Sequence, residues 1–364
     1  MSEAEDARFM AMALTLGRRG LGNTWPNPAV GAVVVKDGKV IGRGWTQAGG
    51  RPHAETIALK RAGKAARGGT LYVTLEPCSH QGKTPPCADA VIRAGIARVV
   101  SALEDPNPEV AGQGHERLRG KNIAVEVGID ADEARRAHAG HIQRMRDGRP
   151  HVLLKLAVSA DGKAGAAGRQ PVAITGEAAR EQVFLLRAQS DAILVGLGTV
   201  VADNPSLTSR LPGMRERTPV RVVLDAQLRV PLSMNVVSTA RENPTWIFTA
   251  TTASAMAEQV LRDKGVEVFR VKAKDGQLVL AQVLKVLAER GVTRLLVEGG
   301  PRVAASFVKA DLIDEAVVFH SRSAIGPDGI GALEGLPLKA LTKHLRPLGT
   351  EPIDPDSIER FARA

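Results

Sequence analysis

Cysteine is scarce: the 364 residues contain two, Cys78 and Cys87. Two cannot staple a small secreted scaffold, and a reducing compartment would not keep them joined. Aromatic residues make up 3% of the chain, too few for the base-stacking surface of a nucleic-acid binder. No apolar run approaches the ~20 residues of a membrane-spanning helix. The longest, from Ala192 to Ala202, is bracketed by Asp191 and Asp203. The opening MSEAEDARFM is acidic and lacks the basic-then-apolar order of an export signal. A cytoplasmic chain with no membrane partner is expected. Neither an internal repeat nor a low-complexity tract is visible.

What is present reads as globular: 44% hydrophobic and 24% charged residues. The length implies about two domains. The net charge of +10 is spread along the chain. It suits anionic small molecules, and no nucleic-acid partner is expected.

Hydrophobic periodicity predicts a helix over 3–19, with Phe9, Met10, Ala13 and Leu14 on one face. A Gly-, Asn- and Pro-rich loop follows. Strands at 29–35 and 39–45 join through Asp37-Gly38, a hairpin signal. Helices are expected over 53–66, 88–94, 116–119 and 130–146, with strands at 70–75, 98–103 and 123–127. The charged Gly/Pro joint at 144–150 divides the chain into 1–147 and 148–364. A second alternation follows, with strands at 152–158, 192–195, 220–224, 246–250, 266–271, 295–297 and 316–319. Its helices are expected at 177–189, 253–264, 279–290 and 303–309. Both halves are therefore expected to be α/β.

The chemistry-bearing residues of the first half are His53-Ala54-Glu55, Glu76-Pro77-Cys78 and Cys87. His53 opens a helix, Cys78 follows a strand, and Cys87 opens the next helix. Two helix N-termini beside one strand end favour thiolates. One His and two Cys give Zn²⁺ three protein ligands and leave the fourth position to water, the pattern of catalytic zinc. The metal lowers that water's pKa towards ~7. Glu55, two residues beyond His53, can carry a proton from the water to a ring nitrogen and then to leaving ammonia. His-x-Glu by itself is uninformative, and a Cys78–Cys87 disulfide is the competing reading. The combination in these contexts points to one zinc ion per chain.

The motifs Pro26-Asn27-Pro28-x-Val30-Gly31, His53-Ala-Glu55, Thr74-Leu-Glu-Pro-Cys-Ser-His80 through Cys87, and Asp105-Pro-Asn-Pro108 resemble the bifunctional riboflavin-biosynthesis deaminase–reductases. The resemblance implies a cytidine-deaminase-like three-layer α/β/α domain over 1–147. Its reaction removes an amine from a diaminopyrimidinone carrying a phosphoribosylamino group. It also implies that Asn27, His80, Lys83 and Asn107 hold the base and phosphate. Where that family often has His, this chain has Thr46.

In the second half, Gly196-Leu-Gly198 lacks the third glycine of the dinucleotide fingerprint. Leu295-Leu-Val-Glu298-Gly299-Gly300-Pro301-Arg302 is a strand end, a glycine pair and a helix start, able to hold a pyrophosphate on backbone N–H groups. Lys155-Leu-Ala-x-Ser159-x-Asp161-Gly-Lys163, Leu186-Arg187-Ala, Gly198-Thr199 through Thr208, and Glu298-x-Gly-Gly-Pro are similar to the reductase half of the same family. That implies a dihydrofolate-reductase-like α/β domain over 148–364 that uses NADPH to reduce the ribosyl chain to ribityl. Ala157, Thr199, Asp203, Gly299, Gly300, Pro301, Arg302 and Val303 are then expected on the cofactor. Lys155, Arg187, Leu207, Arg210 and Glu298 are expected on the substrate, with Lys155 and Asp203 placing a proton. The resemblance also implies a homodimer through the C-terminal sheet. Departures fall at Pro171-Val172-Ala173, Ala226 and the segment from His320 to Gly326. They motivate an alternative in which the second half binds without catalysing. A nucleic-acid deaminase with a basic appendage is the other alternative.

Overall fold

The computed structural model describes residues 2–81, 85–108, 110–170 and 172–363, so Lys83 and Pro171 lie outside the described residues. The chain divides into two compact units, Met1–Arg149 and Pro150–Ala364. No helix among the described residues is long and apolar enough to cross a membrane.

The first unit opens with α1 (Glu3–Arg18). Ser2 and Glu5 form a reciprocal capping box that occupies orphan N–H groups. Then come β1 (Gly31–Lys36), β2 (Lys39–Trp45), α2 (Ala54–Ala62), β3 (Thr70–Val73), α3 (Cys87–Ala94), β4 (Arg98–Ser101), α4 (Gln113–Arg119), β5 (Ala124–Val127), α5 (Ala131–Ala137) and α6 (Ala139–Asp147). The sheet order is β2-β1-β3-β4-β5. β1 is antiparallel to both neighbours, whereas β3, β4 and β5 run parallel.

Glycines set how closely the helices approach this sheet. A Cβ at Gly44 would lie 2.5 Å from the Ala54 carbonyl oxygen, at the first turn of α2. Gly42 likewise faces the Ala58 carbonyl, and Gly31 faces Ala13 of α1. The backbone of α2 therefore rests directly on β2, which fixes where its N-terminus points.

The expected helix over 130–146 is two helices. They break at His138, whose φ of −97° and ψ of 11° leave the helical range. The buried His138 ring bonds Thr74 through Nε2 at 3.0 Å. A tertiary contact at the break is invisible to helical periodicity. Helix 53–66 likewise ends early, at Ala62, because Gly63 takes a positive φ of 55°.

The second unit contains β6 (His151–Val158), β7 (Lys163–Gly165), α7 (Glu177–Ala188), β8 (Ala192–Gly196), α8 (Leu197–Asp203), β9 (Val220–Leu224), α9 (Asn235–Ser238), β10 (Thr245–Ala250), α10 (Ala255–Asp263), β11 (Glu267–Val271), β12 (Ala273–Lys274), β13 (Gln277–Leu278), α11 (Leu280–Glu289), β14 (Arg294–Val297), α12 (Pro301–Lys309), β15 (Glu315–His320), β16 (Ile330–Gly331), β17 (Leu345–Ile353) and β18 (Asp356–Arg363). Its nine-stranded sheet has the order β11-β10-β9-β8-β14-β6-β15-β18-β17. The run from β11 to β15 is parallel. Parallel strands covered on both faces read as continuous apolar runs, as Val152–Leu154 does.

The closing hairpin, β17 and β18, was not expected. It adds antiparallel to β15, pairing Glu315 with Ala362 and His320 with Ser357. Its strands carry Arg, Glu, Pro and Gly at exposed positions. The hydrophobic alternation that marks a strand is therefore weak there. α8 was also missed, because its residues read as a continuation of the apolar β8 run.

Candidate functional site

His53 is the N-cap of α2, and Cys87 is the first residue of α3. Cys78 lies in the loop after β3, and the Cys87 N–H donates to its sulfur at 3.3 Å. The Ala88 N–H donates to the Cys78 carbonyl at 3.2 Å. The start of α3 thus holds Cys78 through two backbone donors. His53 Nδ1 lies 3.7 Å from Cys78 Sγ and 3.3 Å from Cys87 Sγ. These three donor atoms all lie within 4.8 Å of one another. Tetrahedral zinc at ordinary bond lengths separates a nitrogen ligand from a sulfur ligand by roughly 3.5 Å. The observed separations bracket that value, so the donor set fits zinc. Both cysteines are free thiols, which corrects the disulfide alternative.

The electrostatics match a site built for a cation. A hydrogen bond from Cys87 brings the Cys78 thiol down to about 4. The same contact, with burial, pushes the Cys87 thiol far up. Hydrogen bonding to Cys78 raises His53. Two sulfurs held this close cannot both carry charge without a positive partner. Glu55, in the first turn of α2, is 3% exposed. Burial pushes its carboxyl up to about 7, with the Cys78 charge adding to the shift. It meets the Cys87 thiol by a side-chain hydrogen bond.

Of the residues expected on the first substrate, Asn27 donates Nδ2 to the Gly50 carbonyl at 2.8 Å. It ties its loop to the segment leading into His53. His80 is exposed and Asn107 half-buried. The Asn107 N–H donates to Asp105 Oδ1 at 2.9 Å. Thr46 faces inward, its hydroxyl accepting the Val30 N–H at 3.0 Å. It serves the backbone, not the site.

The second unit has a cavity of about 790 Å³ at the carboxyl ends of β8, β9 and β14. In open α/β sheets, ligands bind at that end. Thr199, Asp203, Gly300, Pro301, Arg302 and Val303 line it, whereas Ala157 and Gly299 do not. Gly299 has a packing role instead: a Cβ there would lie 2.5 Å from Val303. Val303 is thereby seated on the strand end. Thr199 Oγ1 accepts the Gly300 N–H at 3.1 Å, joining α8 to the glycine pair. Val172, Ala173 and Ala226 form part of the wall, so these departures give the cavity small apolar lining there.

Lys155, Arg187 and Glu298 form one half-buried cluster outside the cavity lining. Arg187 makes a bidentate pair with Glu298, 2.8 Å at each oxygen, and donates to the Thr208 carbonyl at 3.2 Å. Burial lowers the Lys155 ammonium, opposed by the Glu298 charge. Leu207 is buried with a φ of 56°, and Arg210 is exposed.

Sequence reasoning passed over Arg229, exposed at the cavity edge in the turn after β9. No motif marked it. Neighbouring Asp225 is buried, its carboxylate accepting the Val230 N–H at 2.8 Å. The other cavity arginine, Arg302, pairs with Glu334 at 3.1 Å.

Residues 3–103 match the cytidine and deoxycytidylate deaminase zinc-binding region. Residues 150–358 match the RibD C-terminal domain. The fold and site thus define a zinc deaminase fused to a reductase. The chain is 43% identical to the riboflavin biosynthesis protein RibD of Aquifex aeolicus over 352 residues, covering 95% of this chain and 96% of that one. It is 41% identical to the Escherichia coli RibD, covering 91% and 92%. The solved structure of Acinetobacter baumannii RibD superposes with a TM-score of 0.88 at 36% identity, covering 100% of each chain. The chain belongs to the RibD family of bifunctional riboflavin-biosynthesis enzymes. It combines zinc-dependent deaminase and reductase activities. The matches over both halves favour this reading over a non-catalytic second half or a nucleic-acid deaminase.

Proposed function

We propose that residues 1–147 deaminate a diaminopyrimidinone carrying a phosphoribosylamino group, and that residues 148–364 reduce the ribosyl chain of the product with NADPH. The observation that carries the first step is the His53, Cys78 and Cys87 donor triangle with buried Glu55 beside it. Zinc in that triangle supplies a polarised water as nucleophile. The remaining work falls to the chain. Glu55 would accept a proton from the attacking water and pass it to the pyrimidine ring nitrogen, then take the remaining proton of the added hydroxyl and deliver it to the amine, which leaves as ammonia while the carbonyl forms. Burial raises the Glu55 carboxyl, which suits it to both accept and donate a proton. Asn27, His80, Lys83 and Asn107 orient the base and phosphate.

For the second step, the α12 N-terminus would hold the cofactor pyrophosphate on the N–H groups of Arg302 and Val303, since the Gly300 N–H is taken by Thr199. NADPH supplies a hydride to the sugar. Arg229 is placed to read the 2′-phosphate, since its guanidinium is exposed at the cavity and the nearby Asp225 carboxylate is occupied. Lys155 and Asp203 place the proton needed at the opened sugar, burial raising the Asp203 carboxyl, while Glu298 stays ionised in its pair with Arg187 beside Lys155. The exposed edge strand β17, unpaired on one side, is consistent with a second copy adding there.

The test pairs metal analysis with two assays. One zinc per chain, ammonia release from the phosphoribosyl diaminopyrimidinone, and NADPH oxidation upon adding the deaminated product are expected. Ammonia release that survives complete removal of zinc would overturn the first assignment. Unchanged relative binding of 2′,5′-ADP and 5′-AMP after Arg229→Ala would overturn the 2′-phosphate assignment.

A further inference from the structure

Glu76 lies two residues before Cys78 and is 5% exposed. Its carboxylate has no Lys or Arg partner among the described residues. Each oxygen instead accepts two backbone N–H groups. Oε1 takes Gly114 at 2.7 Å and His115 at 3.2 Å, at the start of α4. Oε2 takes Asp105 at 3.0 Å and Gly112 at 2.9 Å, the two ends of the loop that carries Asn107. His115 sits 3.8 Å away, and burial keeps its imidazole low and neutral. Glu76, Glu104 and His115 are close enough to share a cation. Four N–H donors already fill both Glu76 oxygens, which opposes one.

Two further contacts draw this arrangement against the zinc centre. A Cβ at Gly114 would collide with the Pro77 carbonyl, one residue from Cys78. The loop is also held from its outer side by His141, 3.4 Å from Asp105 Oδ1.

We propose that Glu76 is a positioning residue for deamination: one carboxylate fixes Asp105, Gly112 and the start of α4 to the segment that presents Cys78, and so sets where Asn107 stands relative to the metal donors. The inference rests on the deaminase reading above. Charge alone does not achieve this; both oxygens must reach their donor pairs. An amide at position 76 turns its NH₂ towards two N–H donors, and one pair must separate. The loop is the weaker of the two attachments.

The test is Glu76→Gln in the full zinc-loaded chain. KM for the pyrimidine substrate should rise about tenfold with kcat within about threefold, the pattern of lost ground-state positioning. Zinc stays at one per chain and NADPH oxidation is unchanged. Glu76→Asp keeps the charge but withdraws both oxygens. It should show the same direction of KM change, and it stands in if the Gln variant fails to fold. An unchanged KM in either folded variant, or activity falling in step with zinc loss, overturns the inference. Ammonia release by the unsubstituted chain tests the deaminase reading separately.

Discussion

The two units assemble their sites in opposite ways. In the first, the three proposed metal donors and the proposed proton carrier come from the 35 positions 53–87, and two of the donors are every cysteine the chain has. In the second, the cavity draws its walls from Ala164 through Ile330, with Gly, Ala and Leu the commonest lining residues. Metal catalysis requires rare atom types, so it leaves a mark in sequence. Cofactor binding by strand ends and helix N-termini uses groups that every residue owns. The first site should therefore fail at single atoms, and the second should yield by degrees.

The sharpest break of that contrast is Cys87→Ser. Zinc content should collapse and ammonia release fall by about 10³-fold or more, while NADPH oxidation with supplied deaminated product persists. Glu55→Gln should lose a similar rate, within the 10²–10⁴ range of general acid–base catalysis, yet retain zinc. Metal analysis beside the two assays separates them. Glu298→Gln comes next. It strands Arg187, whose side chain is 15% exposed, and should destabilise the second unit by about 3–5 kcal/mol. Denaturant unfolding followed with ammonia release would show one unit weakened and the other intact.

Smaller effects should appear in the cavity. Thr199→Ala removes the hydroxyl that accepts the Gly300 N–H and should weaken NADPH binding about fivefold, the scale of one hydrogen bond near 1 kcal/mol. A titration of the free chain would read it. The smallest concerns acid. Asp161 accepts the Ile325 and Gly326 N–H groups at 3.0 and 2.8 Å. Hydrogen bonding, first from Ser159, holds its carboxyl down to about 2. Its ordinary value is about 3.9. The contribution is thus present above that pH and lost as pH falls through about 2. Amide exchange at 325 and 326 should accelerate over this window, and Asp161→Asn should remove the dependence.

The legibility of each element follows its physics. The Asp37-Gly38 hairpin was readable because a tight turn needs positive φ at both positions, and both adopt it. The hairpin β17–β18 was not, since the edge strand β17 is exposed along most of its length and β18 sets charged residues among its few apolar ones. His53 and the cysteines were legible as a zinc set. Glu76 looked like part of a motif, and its four N–H partners lie 29 to 39 positions away in sequence. Arg229 was one of 49 basic residues until the cavity singled it out. The Arg187–Glu298 pair was named as two separate substrate contacts, and their mutual bond spans 111 positions.

Residue identity by itself pointed to the donor chemistry and gave the two α/β halves, because ligand type and hydrophobic period are properties of the local chain. Tertiary structure decided which glycines let α2 rest on β2, which carboxylate holds the loop, and which arginine faces the cavity. Those depend on atoms that only folding brings within hydrogen-bond or van der Waals reach.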